Sequence, residues 1–190
     1  MKLVRRETIL RPGVGLTTRR LGAIREVYQG RYGEKPVEKY VLPDILVVAA
    51  FTPTGKMIVI REKRIGLGTQ DQLIGETFER GEGSRPRQAA IRGLFEETGY
   101  RPKKIWLLTR LLESVGRSNT TIYCYIATGC YPGRGWEKEK NIKLIKLVDP
   151  FEFRRWIRAY LRIHRRRPHR NLQSLACLEL ALEELKLIRV

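Results

Sequence analysis

The stretch from Gly75 to Tyr100, GETFERGEGSRPRQAAIRGLFEETGY, constrains the fold most. It joins an acidic, glycine-bounded loop to a helix with clear punctuation at both ends. Pro86 suits the first helical turn, where its missing N–H has no partner to lose. Gly99 suits the left-handed residue that stops a helix. The spacing therefore predicts a helix from about Pro86 to Thr98, with Ala89, Ala90, Leu94 and Ile91 supplying its inner face. Residues three or four apart share a helix face, so Glu96 and Glu97 project beside positions 92 and 93. Glu79 and Glu82 lie in the loop that enters the helix. Clustered carboxylates of this kind suit Mg²⁺, a hard ion that takes oxygen ligands and bridges phosphates.

The rest of the chain tells what this helix packs on. Residues 44–51, DILVVAAF, form an apolar run of strand length, as in a central strand buried on both faces. A turn at Thr52–Gly55 returns the chain as a strand from Met57, and Gln72-Leu73-Ile74 reads as a short third strand. Beyond the helix, residues 104–112, 120–128 and 142–148 read as strands; the second alternates and is rich in β-branched and aromatic residues, and the third alternates. Helices follow over residues 151–164 and 171–187. The first has Phe153, Trp156, Ile157, Tyr160 and Leu161 on one side; the second has a leucine stripe from Leu172 to Leu185. Ahead of all this, residues 1–43 carry short alternating runs at Leu3-Val4, Thr8–Leu10 and Ala23–Tyr28, with turns near Pro12-Gly13 and Gly30–Gly33. The expected architecture is α+β, an α/β/α sandwich. Residues 1–43 form an N-terminal β-rich segment and residues 44–190 the main domain.

Composition excludes several classes. No run approaches the ~20 apolar residues of a membrane span. Cys124, Cys130 and Cys177 have no metal-like pairing and read as reduced thiols in a cytoplasmic protein. The formal net charge is +18, a field that draws polyanions, whether nucleic acid or an anionic nucleotide.

The segment resembles the Nudix box, Gx5Ex7REUxEExGU, where U is an aliphatic or aromatic residue. Arg92, Leu94, Glu96, Glu97, Gly99 and Tyr100 match its second half in register. Gln72-Leu73-Ile74-Gly75 ahead of Glu79-Arg80-Gly81-Glu82 is similar to the strand and loop of the ADP-ribose pyrophosphatase branch. The resemblance implies a Nudix-like mixed sheet and a hydrolase of nucleoside diphosphates linked to another group. It also implies Mg²⁺ or Mn²⁺ as cofactor and a homodimer built through the N-terminal layer. It implies Gly75, Glu82, Glu96 and Glu97 as metal ligands, with Glu97 foremost, and Arg92 as the residue that holds the loop through a carboxylate such as Glu82. A catalytic glutamate from a later loop would fall on Glu137 or Glu139; two solvated loop charges are the plainer alternative for that pair.

The sequence departs from the box in three places. With Glu82 as the loop glutamate, the first box glycine falls on Glu76. Nine residues separate Glu82 from Arg92 where the box has seven. The glutamate after the box arginine, commonly a metal ligand in the family, is Gly93. A mid-helix glycine costs about 1 kcal/mol relative to alanine, so no carboxylate is expected to act there. If position 93 is a vacated ligand site, Gly93→Glu is expected to strengthen metal binding. The Ser-Pro-Gly turn typical of ADP-ribose hydrolases is replaced by Ser114-Val115-Gly116, so the resemblance does not single out ADP-ribose.

Eight arginines lie between 154 and 170: Arg154, Arg155, Arg158, Arg162, Arg165, Arg166, Arg167 and Arg170. Arginine forks bind phosphate in bidentate fashion, and Glu152 is the only acid nearby in sequence. Two readings follow: a divalent-metal hydrolase, or a catalytically silent Nudix-fold protein that holds RNA or a ribonucleoprotein through its arginines.

Overall fold

The computed structural model describes residues 2–10, 22–64, 68–79, 82–114, 116–137, 142–163 and 171–187. Two compact units emerge, one from Met1–Ile45 with Arg110–Ile122, the other from Leu46–Thr109 with Tyr123–Val190.

The first unit contains a three-stranded antiparallel sheet of β1 (Lys2–Leu10), β2 (Gly22–Gly30) and β3 (Gly33–Val41). The separate runs expected at Leu3-Val4 and Thr8–Leu10 are one continuous strand, because β2 pairs along its whole length. β3, GEKPVEKYV, is a strand that charge and an internal proline conceal. Pro36 is tolerated because β3 is an edge of this sheet. Gly33 closes the β2–β3 turn at φ 104°, a left-handed conformation that favours glycine.

Glu26 stitches these three strands together. Only 2% exposed, it accepts hydrogen bonds from Arg6 on β1, Lys39 Nζ on β3 (2.6 Å) and the Tyr28 hydroxyl (2.7 Å). Lys39 above all, then Tyr28 and Arg6, hold its carboxyl down to about 2 against the upward push of burial. A depressed folded-state pKa stabilises above the ordinary carboxylate range, and that contribution disappears as pH falls from there toward 2. Glu26→Gln is therefore expected to cost on the order of 3 kcal/mol at neutral pH. It should also flatten the acid limb of a stability-versus-pH curve measured by denaturant titration. An unchanged acid limb would show that Glu26 is not its source.

The second unit is built on a seven-stranded sheet. Its strands are β4 (Ile45–Phe51), β5 (Met57–Arg64), β6 (Gly68–Gln72), β7 (Ile74–Thr77), β9 (Lys104–Leu112), β10 (Thr121–Thr128) and β12 (Ile142–Val148). The path runs β12-β5-β4-β10-β9, with β6 on β5 and β7 on β4. A two-residue β8 (Tyr100–Arg101) pairs with β11 (Tyr131–Pro132). The single short strand expected at 72–74 is thus the junction of two, β6 and β7, with Leu73 between them.

Among the described residues three helices flank the sheet: α1 (Pro86–Thr98), α2 (Pro150–Ile163) and α3 (Asn171–Glu184). β4 is central and buried from Leu46 to Phe51, which is why its sequence is continuously apolar. Alternation sorts its side chains between two layers. Leu46, Val48 and Ala50 join Ile58, Ile74 and Phe78 in one core with Ala89, Ala90 and Leu94 of α1. On the other side, the Cys177 thiol of α3 reaches the Val47 carbonyl at 3.7 Å, among buried Leu178, Ala181 and Leu182. Each large aliphatic side chain so buried contributes roughly 1.5–3 kcal/mol. The three cysteines are free and buried, and burial pushes the Cys130 thiol up to about 11. Among the described residues no helix is long and apolar enough to cross a membrane.

Candidate active site

Helix α1 begins at Pro86 and ends on Gly99, which adopts φ 75° and donates its N–H to the Phe95 carbonyl. The face it turns to the sheet carries Ala89, Ala90, Gly93, Leu94 and Glu97. Glu97 is the exception in chemistry: a carboxylate 5% exposed among apolar neighbours. Its Oε2 accepts the Gly75 backbone N–H at 3.3 Å, tying the helix to β7.

Arg92 gathers the other carboxylates. Its guanidinium donates to both oxygens of Glu82, at 2.8 and 2.9 Å, and to Glu96 one turn along the helix. Glu79 lies at 3.7 Å from the same group. Glu82 also accepts the Glu79 backbone N–H on its side chain at 2.7 Å, while its carbonyl accepts the Arg85 N–H at 2.7 Å and closes the short 3₁₀ turn over Glu82–Ser84. Arg92 in the first place, with the Glu79 N–H, holds the Glu82 carboxyl below its ordinary range although burial opposes it. The arginine's own pKa is raised, chiefly by Glu82. The loop that enters α1 is thus tied to the helix by Arg92.

The next loop is pinned to the far end of α1. Gly133 donates its N–H to the Gly99 carbonyl at 2.7 Å, and the Trp136 indole N–H donates to the Glu96 carbonyl at 2.8 Å. Trp136 packs so closely that a Cβ at Gly99 would sit 2.7 Å from its ring. Arg101 stacks on Phe95 at 4.0 Å from the ring centroid. This anchoring sets Glu137, which is exposed, one residue beyond Trp136 near the end of the carboxylate helix. Glu139 lies outside the described residues. Nothing in the sequence around Trp136 marked it as an anchor; a tryptophan in a polar, glycine-rich loop is the one cue.

Among the described residues no three His, Cys, Asp or Glu side chains are grouped to hold a metal ion. Mg²⁺ does not need such a cage, because one or two carboxylates with the substrate's phosphates suffice. Glu97, a buried carboxylate on α1, has the donor chemistry for that arrangement. Glu82 and Glu96 share their charge with Arg92.

The basic helix differs from its sequence reading. Glu179, reaching across from α3, pairs with Arg154 through two hydrogen bonds at 2.8 and 2.9 Å and with Arg158 at 2.9 Å. The acid missing from the local sequence is supplied by the neighbouring helix. Arg154 first, and Arg158 after it, hold the Glu179 carboxyl below its ordinary range. Glu179→Ala is expected to lower stability by about 1 kcal/mol, read as a lower melting temperature; an unchanged one would remove the pair from the account of how α2 meets α3. Arg155 is exposed. The side chain of Arg162 and residues Arg165, Arg166, Arg167 and Arg170 lie outside the described residues. Trp156, expected on the inner face, is 39% exposed. It stacks between Phe153 and Tyr160, while Phe153 and Ile157 fill the inner positions.

The sequence model of the NUDIX domain matches residues 42–167. The ADP-ribose pyrophosphatase of Bacillus subtilis (strain 168) is 30% identical over 103 residues, and the chain spans about half of that relative's length (54%). The crystal structure of an ADP compounds hydrolase superposes with a TM-score of 0.66 at 17% identity, over 98% of this chain and 95% of that one. With the box helix, its arginine clamp and a family match from residue 42 to residue 167, the chain belongs to the NUDIX domain family.

Proposed function

We propose that the chain is a pyrophosphohydrolase acting on a nucleoside diphosphate linked to a second group. The observation that carries this reading is Glu97. It is a carboxylate only 5% exposed, on the helix that carries the box residues, and it is tied at 3.3 Å to the Gly75 backbone N–H of β7. In the reaction, water attacks one phosphorus of the diphosphate. A new P–O bond forms, the bridging P–O bond breaks, and two phosphate-bearing products leave. A divalent cation, Mg²⁺ or Mn²⁺, when bound supplies charge neutralisation at the diphosphate and a more acidic water. Glu97 and the Gly75 carbonyl are the ligands that would hold it. Arg92 keeps the entry loop in place through Glu82 and orients Glu96.

ADP-linked compounds are the first substrates to test, because they are named in both relatives. Incubation with ADP-ribose, ADP-sugars and dinucleoside diphosphates in Mg²⁺ or Mn²⁺, followed by chromatography, is expected to release AMP from at least one. No phosphate-bearing product from any of them would remove the proposal. The RNA reading draws no support from Arg154 and Arg158, since both are engaged with Glu179.

A further inference from the structure

Gly93 and Glu76 occupy one place between strand and helix. A Cβ built on Gly93 would lie 3.1 Å from the Cβ of Glu76 and 3.4 Å from its Cγ. Leu46 Cδ1 would be the next neighbour, at 3.6 Å. A side chain at residue 93 would press on the stem of Glu76 more tightly than an ordinary van der Waals contact. The alternation of β7 explains the direction of that stem. Ile74 packs into the core with Ala89, Ala90 and Leu94, and Glu76, two residues on, shares its face. Glu76 is half-buried, with its stem against α1. The Glu76 carboxylate accepts the Thr77 N–H at 2.8 Å and its hydroxyl at 3.3 Å. Both bonds reach the same oxygen, Oε1.

The two positions are also the two at which the box is altered most plainly. Where the pattern has glycine the chain has Glu76, and where it has glutamate the chain has Gly93. We infer that the carboxylate of the box has been exchanged between helix and strand: Glu76 supplies from β7 the divalent-cation ligand that α1 lacks at position 93. Glu97 lies one turn beyond Gly93 on the same helix, and it is bonded to Gly75, the residue next to Glu76. Glu76 and Glu97 then form the two-carboxylate arrangement that Mg²⁺ takes up with substrate phosphates. The earlier expectation for Gly93→Glu reverses. Alone, that change drives two carboxylate stems into contact, and it needs Glu76→Gly to make room.

This inference rests on the hydrolase reading, and Mn²⁺ binding by itself separates the two. Mn²⁺ affinity is measured by electron paramagnetic resonance, without substrate, for the wild type, Glu76→Gln, Glu97→Gln and the exchanged double variant Glu76→Gly/Gly93→Glu. Glu76→Gln is expected to weaken Mn²⁺ binding by roughly tenfold or more, as Glu97→Gln does. The double variant is expected to recover most of the wild-type affinity. Wild-type affinity in Glu76→Gln, with a loss in Glu97→Gln, overturns the exchange and leaves the hydrolase reading standing. A folded double variant, judged by its circular dichroism and melting transition, that binds no better than Glu76→Gln also overturns it. Failure of the hydrolase reading has a different signature: no turnover of any diphosphate by a wild type that binds Mn²⁺ through Glu76.

Discussion

Glu97→Gln is expected to lower diphosphate hydrolysis by at least roughly 100-fold while leaving the melting temperature essentially where it was. The two halves of that expectation have separate causes. Glutamine has nearly the same shape, and its amide oxygen can still accept the Gly75 N–H, so the link from α1 to β7 survives. What is lost is a negative charge in a site only 5% exposed, where water screens little and charge counts for more than on the surface. If Glu97 were only a strut between helix and strand, Glu97→Gln would retain activity, and Glu97→Ala would lose stability instead. Comparing the two variants by steady-state kinetics and thermal melting separates a chemical role from a structural one.

Arg92→Met is expected to be the more damaging change to the fold of the site. The guanidinium holds Glu82 with two hydrogen bonds and Glu96 with a third, and Glu79 stands 3.7 Å away. Methionine keeps much of the stem but leaves these carboxylates facing one another without a counter-charge. Arg92 is partly exposed, so the cost is expected to be about 2 kcal/mol, below the range for a fully buried pair. The pH dependence has a definite sign. Arg92 depresses the Glu82 carboxyl, so the clamp contributes above the ordinary carboxylate range and is lost as pH falls below it. In Arg92→Met that dependence reverses: protonating the crowded carboxylates at mild acid pH should recover stability. Arg92→Lys keeps the charge but not the fork, and is expected to fall between the two. Denaturant titration at neutral and mildly acid pH reads all three proteins; equal stability of Arg92→Met and wild type at neutral pH would contradict the clamp.

The parts of this structure that were legible in the sequence are those with local causes. Pro86 and Gly99 bound α1 chemically, so its limits could be read directly. Continuous apolarity marked β4 as central, and alternation marked β10 and β12. The parts that were not legible depend on contacts between distant residues. β3 is held by its register with β2, and its own residues, five of nine charged or proline, say little. Glu179 answers Arg154 and Arg158 from another helix, which a search for acids near in sequence passes over. Trp136 anchors its loop through the Glu96 carbonyl, a backbone atom with no sequence identity of its own. The meaning of Gly93 was hidden for the same reason: its partner is seventeen residues earlier, on a strand. A cue was present, since Glu76 stands two residues from Ile74 and must share its face. Read as a lone glycine, position 93 suggested lost chemistry; read with Glu76, it suggests chemistry moved.

Hydrolysis in ¹⁸O-labelled water, with mass spectrometry of the products, tests the central claim most directly. With an ADP-linked substrate and Mg²⁺ or Mn²⁺, the wild type is expected to yield two phosphate-bearing products with a single ¹⁸O in one of them. That pattern identifies water attack on one phosphorus of the bridge. Glu97→Gln is expected to yield almost none of either. Unlabelled products, or labelled products formed equally fast by Glu97→Gln, would contradict the account.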